Sequence, residues 1–193
     1  MLLLFILLFP LVLGAGLLLA KPSNPFPIAL AGSILEAIVI AYALCPAESA
    51  GLIFSQAWIP EAGISFTLWI DGINGILIGL TGLLVPFIIA STNNSDKSGN
   101  ASYLGLILAM QTALLGAFLA KDAFLFYFFF EASLLPIYFL VAQYGGENRT
   151  SITFKFFVYT LFGSLFLLIA LIYVYLRTPG ETHSADIETL YLT

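Results

Sequence analysis

Six apolar runs of roughly 18–25 residues each leave this chain little choice of architecture. They fall at 2–20, 27–45, 72–90, 103–120, 123–144 and 152–176, with polar joints between them. Lipid offers no water to unpaired backbone groups, so such runs cross it as helices whose hydrogen bonds close within the segment. The expected fold is therefore all-α, a polytopic transmembrane bundle of about six helices over 1–176, with a polar acidic tail over 177–193. Composition points the same way. The 193 residues are 61% hydrophobic and 9% charged, which excludes a soluble domain of this size. The run from Leu2 to Ala20 lacks a basic leader and outlasts a usual secretory h-region, so it reads as the first span.

The charges exclude several function classes. Six Lys and Arg against eleven Asp and Glu argue against a nucleic-acid partner, leaving lipid as the medium. Cys45 is the lone cysteine, which rules out an internal disulfide or a thiolate metal cluster. The one histidine, His183, lies in the tail, so a multi-histidine metal or haem site is not expected. No nucleophile–base pair, metal-ligand cluster or phosphate loop is legible, and no catalytic, metal or cofactor-binding residue is expected in this chain. Lys21, Lys97 and Arg149 sit in the odd joints, with Lys155 just inside the following helix; the even joints and the tail hold Lys121 and Arg177. The positive-inside rule then predicts the N-terminus outside, together with the acidic tail residues Glu181, Asp186 and Glu188.

The joint from Pro46 to Asp71 is long. Alternation at Ile64, Phe66 and Leu68 after Gly63 predicts a short strand or hairpin lying on the membrane face. Asp71 then reads as the N-cap of the third helix, with an ion-path role as the alternative. Within that helix Gly72, Gly75, Gly79 and Gly82 form one small-residue face for close helix packing.

The chemistry is concentrated in AFLFYFFFEASLLPIYFLVAQY, residues 123–144, where Glu131 sits in an otherwise apolar run. An acid at that depth costs roughly 2.5–3.5 kcal/mol on insertion scales, so a chain that keeps it there usually uses it. At ~1.5 Å per residue Glu131 lies about 12 Å into the helix. Tyr127 at i−4 and Tyr138 at i+7 share its face. Pro136 has no N–H to donate, which frees the Ala132 carbonyl one residue past the acid. Two readings compete: a protonatable group on an ion path, or a neutral acid hydrogen-bonded to a neighbouring helix.

Glu36, with Ser33 on its face, carries the same cost argument in the second helix and the same two readings. Lys155 lies too far along the sixth helix for a direct ion pair with Glu131, the gap being about 14 Å. It reads either as a residue snorkelling to the surface or as a step in a proton path entering from that side. Gln111 and Thr112, polar at mid-depth, read as interhelical glue. A buried carboxylate with no cation beside it is neutral, so a switched Glu131 requires a basic partner from elsewhere.

The run FYFFFEASLLPIYFLVAQYGG followed by KFFVYTLFGSLFLLIALIY resembles the antiporter-like proton-pumping subunits of respiratory complex I. Among these it is most similar to the subunit M type of bacterial NADH–quinone oxidoreductase, the counterpart of mitochondrial chain four. The segments WIPEAGISFTLWIDGINGILIGLTGLL and AKDAFLFY fit the same family. The resemblance implies that Glu131 matches the helix-five glutamate, which pairs with a lysine on helix seven, and that Lys155 matches the lysine of the KFF segment. It also implies that NADH, FMN, iron–sulfur clusters and quinone bind elsewhere in the complex, with other membrane-arm subunits as partners. The membrane is then a bacterial or mitochondrial inner membrane. Family chains run well past this length, so the lysine helix and the later broken helix lie outside this sequence. The gene is then split, or the chain is an N-terminal piece. A multisubunit sodium/proton antiporter, a membrane-bound hydrogenase, or a purely structural assembly subunit are the alternatives.

Overall fold

A computed structural model of the chain describes residues 1–45, 52–93, 95, 97–178 and 183–191. Glu181 of the predicted tail and residues 46–51 of the long joint lie outside the described residues. The membrane-crossing elements are α1 (Leu2–Ala20), α2 (Pro25–Ala43), α3 (Gly72–Ser91), α4 (Ala101–Leu119), α5 (Ala123–Tyr144) and α6 (Arg149–Tyr175). All six are long and apolar enough to span, so the chain is an integral membrane protein.

The helix boundaries depart from the apolar runs where the end chemistry differs from the hydropathy. α2 starts at Pro25, where a missing N–H costs nothing, rather than at residue 27, and it stops at Ala43. Asn100 starts α4 by accepting from the N–H groups of Ser102 (3.0 Å) and Tyr103 (3.1 Å). α6 begins at Arg149, so the polar turn before residue 152 is already helical. Asp71 caps α3 as expected. Its Oδ1 accepts from Ile73 and Asn74, and the Asn74 side chain accepts in return from the Asp71 N–H at 2.7 Å.

α4 is the centre of the bundle, packed against α1, α5, α3 and α2. Its crossing with α1 brings backbone onto backbone. A Cβ on Gly105 would stand 3.0 Å from the Gly14 carbonyl oxygen, and one on Gly14 would stand 2.9 Å from that of Gly105. The glycine face of α3 also packs. Gly75 and Gly79 oppose Leu44, at 3.1 and 3.0 Å from an added Cβ, and Gly82 opposes Ile40 at 2.7 Å. Gly72, grouped with that face in the sequence, meets no neighbour within 4 Å, because it sits on the first turn beyond the reach of α2.

The predicted hairpin is present. Strands β1 (Ile53–Ile59) and β2 (Ile64–Trp69) pair antiparallel, with a bulge between Ala57 and Ile59. A 3₁₀ turn at Pro60–Ala62 joins them and ends at Gly63, whose φ of 60° favours glycine. Burial does not follow simple alternation, since Thr67 and Leu68 are both covered. The reason is that β2 has neighbours on two sides. The Thr67 carbonyl accepts from the Lys121 N–H (2.9 Å) at the α4–α5 corner, and Leu68 bridges to Ala120. The tail docks here too. Ala123 N–H donates to the Ala185 carbonyl (2.9 Å) and Ile187 N–H to that of Lys121 (3.0 Å), before the short helix α7 (Ile187–Tyr191).

Candidate proton-path site

The site is held by its N-terminal corner. Asp122 is buried and caps α5, its Oδ1 accepting from Phe124 (2.9 Å) and Leu125 (3.2 Å) while its Oδ2 accepts from the Ser65 N–H of the hairpin (2.9 Å). Burial pushes its carboxyl above the usual range, against the pull of three backbone N–H donors, and nearby Asp186 adds to the push. One side chain thus fixes both where α5 begins and where the hairpin sits. Lys121 beside it pairs with Glu188 (3.2 Å) and Asp186 (3.7 Å) of the tail, and lies 5.2 Å from the Trp69 ring centre. Neither corner residue stood out in the sequence as more than a turn. The Asp before an apolar run was a cap signal, whereas its bond to Ser65 links segments 57 residues apart.

From that corner α5 runs through Glu131 and continues unbroken past Pro136. Ser133, Leu134 and Pro136 are buried, and the Phe129 ring covers Gly116 of α4, so this side of α5 is locked to the centre. Glu131 lies off that side and is half-buried, and its Oε1 is fully covered with no hydrogen-bond partner among the described residues. The Tyr127 hydroxyl lies close to the Glu131 carboxylate and to Ser164 of α6, whose own hydroxyl donates to the Leu161 carbonyl at 2.9 Å. Tyr138 packs edge-on against Phe157 of α6, with ring centres 5.3 Å apart. The α5–α6 seam therefore places an acid, a phenol and a hydroxyl near one another, groups that can each take part in hydrogen bonding. Ser164 was not singled out in the sequence. It is one of two buried residues on α6, the other being Thr153.

The remaining predicted residues are not brought to this seam. Lys155 is exposed on α6, and the ion pairs among the described residues both involve Lys121. Glu36 is fully buried in α2, which packs on α1, α3 and α4. Ser33 does not satisfy it, because the Ser33 hydroxyl donates to the Leu30 carbonyl at 2.9 Å.

Residues 120–193, which include the corner and the seam, match the family described as NADH:quinone oxidoreductase/Mrp antiporter, TM. Over 175 residues the chain is 34% identical to NADH-quinone oxidoreductase subunit M of Rickettsia conorii, covering 89% of this chain and 35% of that protein. Over 128 residues it is 37% identical to F(420)H(2) dehydrogenase subunit M of Methanosarcina mazei, covering 66% of this chain and 26% of that protein. In the structure of respiratory complex I from Thermus thermophilus with bound NADH, one chain matches all of this chain over 39% of its own length, at 30% identity and a TM-score of 0.84. The chain thus spans 35% or less of the length of these curated relatives. It belongs to the antiporter-like membrane subunits of the NADH:quinone oxidoreductase/Mrp family and is similar to their subunit M type.

Proposed function

We propose that the chain forms part of a proton-translocating membrane-arm subunit of an NADH–quinone oxidoreductase, with Glu131 as its protonatable group. The observation that carries this reading is the covered, unpartnered Oε1 of Glu131 beside Tyr127, within the stretch matched by the family. The mechanism is electrostatic. A cation brought near Glu131 favours its carboxylate and releases the proton toward Tyr127 and Ser164; when the cation withdraws, the acid takes a proton up again. That cation is a lysine on a helix outside this chain, supplied by a further segment or another polypeptide. The outward face of α6 supports this, since Phe154, Phe162 and Phe166 are all exposed there for lipid or another helix to cover.

Lys155 serves as a shallower step on the side of the odd joints, and Tyr138 lines the same seam. The N-terminus and the hairpin face the outside of a bacterial or mitochondrial inner membrane. NADH, FMN, iron–sulfur clusters and quinone belong to other subunits of the assembly. The experiment is Glu131→Gln in the assembled complex, reading protons moved per quinone reduced. A clear fall with normal assembly is expected, and an unchanged ratio removes Glu131 from the mechanism. The family's Mrp branch carries a second reading, a sodium/proton antiporter. Co-purification of flavin and iron–sulfur subunits separates the two.

A further inference from the structure

The four helices α1 to α4 hold one formally charged side chain, Glu36, and it is 0% exposed. The helices packed against α2 are α1, α3 and α4, and none of them contains an Asp, Glu, Lys, Arg or His. Tyr103, near the start of α4, is their one titratable side chain, and Tyr42 of α2 itself is exposed. No built-in cation can therefore balance a Glu36 carboxylate. A bare charge in such surroundings is strongly disfavoured unless something pairs with it.

Glu36 shares its level in the bundle with other polar side chains. At ~1.5 Å per residue it lies about 10 Å from the α2 end at Ala43, and Gln111 lies about 12 Å from the α4 end at Leu119. Both ends face the hairpin, so the two side chains share a depth. The apolar core divides at this level. Ile40 and Leu115 belong to the cluster on the hairpin side, and Ala29 and Leu108 to the cluster on the other. Between the clusters stand Ser33, Glu36, Gln111 and Thr112, all buried. The two hydroxyls are occupied on their own helices, Ser33 donating to Leu30 (2.9 Å) and Thr112 to Leu108 (3.1 Å). Both carboxyl oxygens of Glu36 and both amide atoms of Gln111 are covered and unpartnered among the described residues.

We infer that Glu36 and Gln111 form a second proton-binding site, separate from Glu131, in which the acid binds and releases one proton against the amide. With the proton bound, the Glu36 O–H donates to Gln111 Oε1 while the Gln111 NH₂ donates to the other Glu36 oxygen. That arrangement satisfies the acid, the amide oxygen and one amide hydrogen together. Release leaves a carboxylate held by the amide NH₂ alone, so a positive charge or water reaching this layer draws the proton out. A metal cation is disfavoured, because two carboxylate oxygens and one amide oxygen do not complete the shell of oxygens a hard cation takes. The site does not depend on the Glu131 reading and stands if Glu131 carries no proton.

The test is a pH titration of the intact membrane complex, carrying the full-length protein, by infrared spectroscopy. A carboxylic-acid carbonyl band should shrink as pH rises, vanish entirely in Glu36→Gln, move in frequency in Gln111→Leu and persist in Glu131→Gln. Should Glu36→Gln fail to assemble, Glu36→Asp keeps an acid there, and the band should shift rather than vanish. A Glu36-dependent band that stays constant across the titration marks a fixed structural proton and overturns the exchange. The absence of any Glu36-dependent band overturns the site altogether. A band that shrinks on adding sodium chloride at fixed pH makes sodium the ligand and overturns the proton assignment.

Discussion

α4 and α6 are both long apolar spans, yet 61% of an apolar 18-residue stretch of α4 is buried inside the protein and only 6% of such a stretch of α6. Hydropathy does not separate them; side-chain size does. α4 carries Gly105 against Gly14 of α1 and Gly116 under the Phe129 ring of α5, so neighbours approach on two sides. α6 carries bulky aromatics and a single glycine, Gly163, with nothing within 4 Å of an added Cβ. Lipid tails are as apolar as leucine, so close packing rather than apolarity decides which span becomes a centre. The two acids within the spans divide along the same line. Glu36 lies in the closed half around α4, whereas Glu131 lies on the open seam with α6, where a partner can still be added.

The largest test of this contrast is Gly105→Leu, whose side chain would enter the Gly14 backbone. We expect a loss of about 3 kcal/mol or more, against about 0.5 kcal/mol either way for Gly163→Leu. Thermal unfolding in detergent measures both, and equal effects would break the comparison. Next in size is Asp122→Ala, which removes a cap and the tie to Ser65 at about 2 kcal/mol; hydrogen exchange at the Ser65 and Phe124 amides should rise together.

A smaller effect concerns pH. Burial makes Asp122 hold its proton more tightly in the folded chain than in the unfolded one, despite its three backbone donors. Folding therefore binds a proton in that range. The resulting stability is fully present below the ordinary carboxyl value and is lost as pH rises through the higher folded value. Ser65 protection, corrected for intrinsic exchange, should strengthen on acidification, and Asp122→Asn should flatten that slope. The smallest effect belongs to Lys121→Ala. Its pairs with Asp186 and Glu188 are partly exposed, so about 0.2–1 kcal/mol is expected, shrinking as salt is added.

Much of the fold was legible because it depends on local pattern. The spans, the Asp71 cap and the strand signal before it are properties of short windows, and the structure contains all of them. The depth of Glu131 and its alignment with Tyr127 follow from helical spacing alone. Ser164 was illegible as a neighbour of Tyr127, since a serine in an apolar helix gives no sign of which helix it will meet. The Asp122–Ser65 tie and the Gly14–Gly105 crossing were hidden for the same reason. Each joins residues whose proximity is set by how whole helices pack.

The sequence by itself determined that this chain is a bundle of membrane-crossing helices and that two of them carry an acid at a depth where acids are costly. Each is a statement about the free energy of a side chain or a backbone group in lipid, and that energy can be read one residue at a time. Only the tertiary structure decided that one acid is sealed among helices without a charge while the other lies on an open seam beside a phenol and a hydroxyl. That difference belongs to pairs of helices, and it is set by which small residues let two backbones come close.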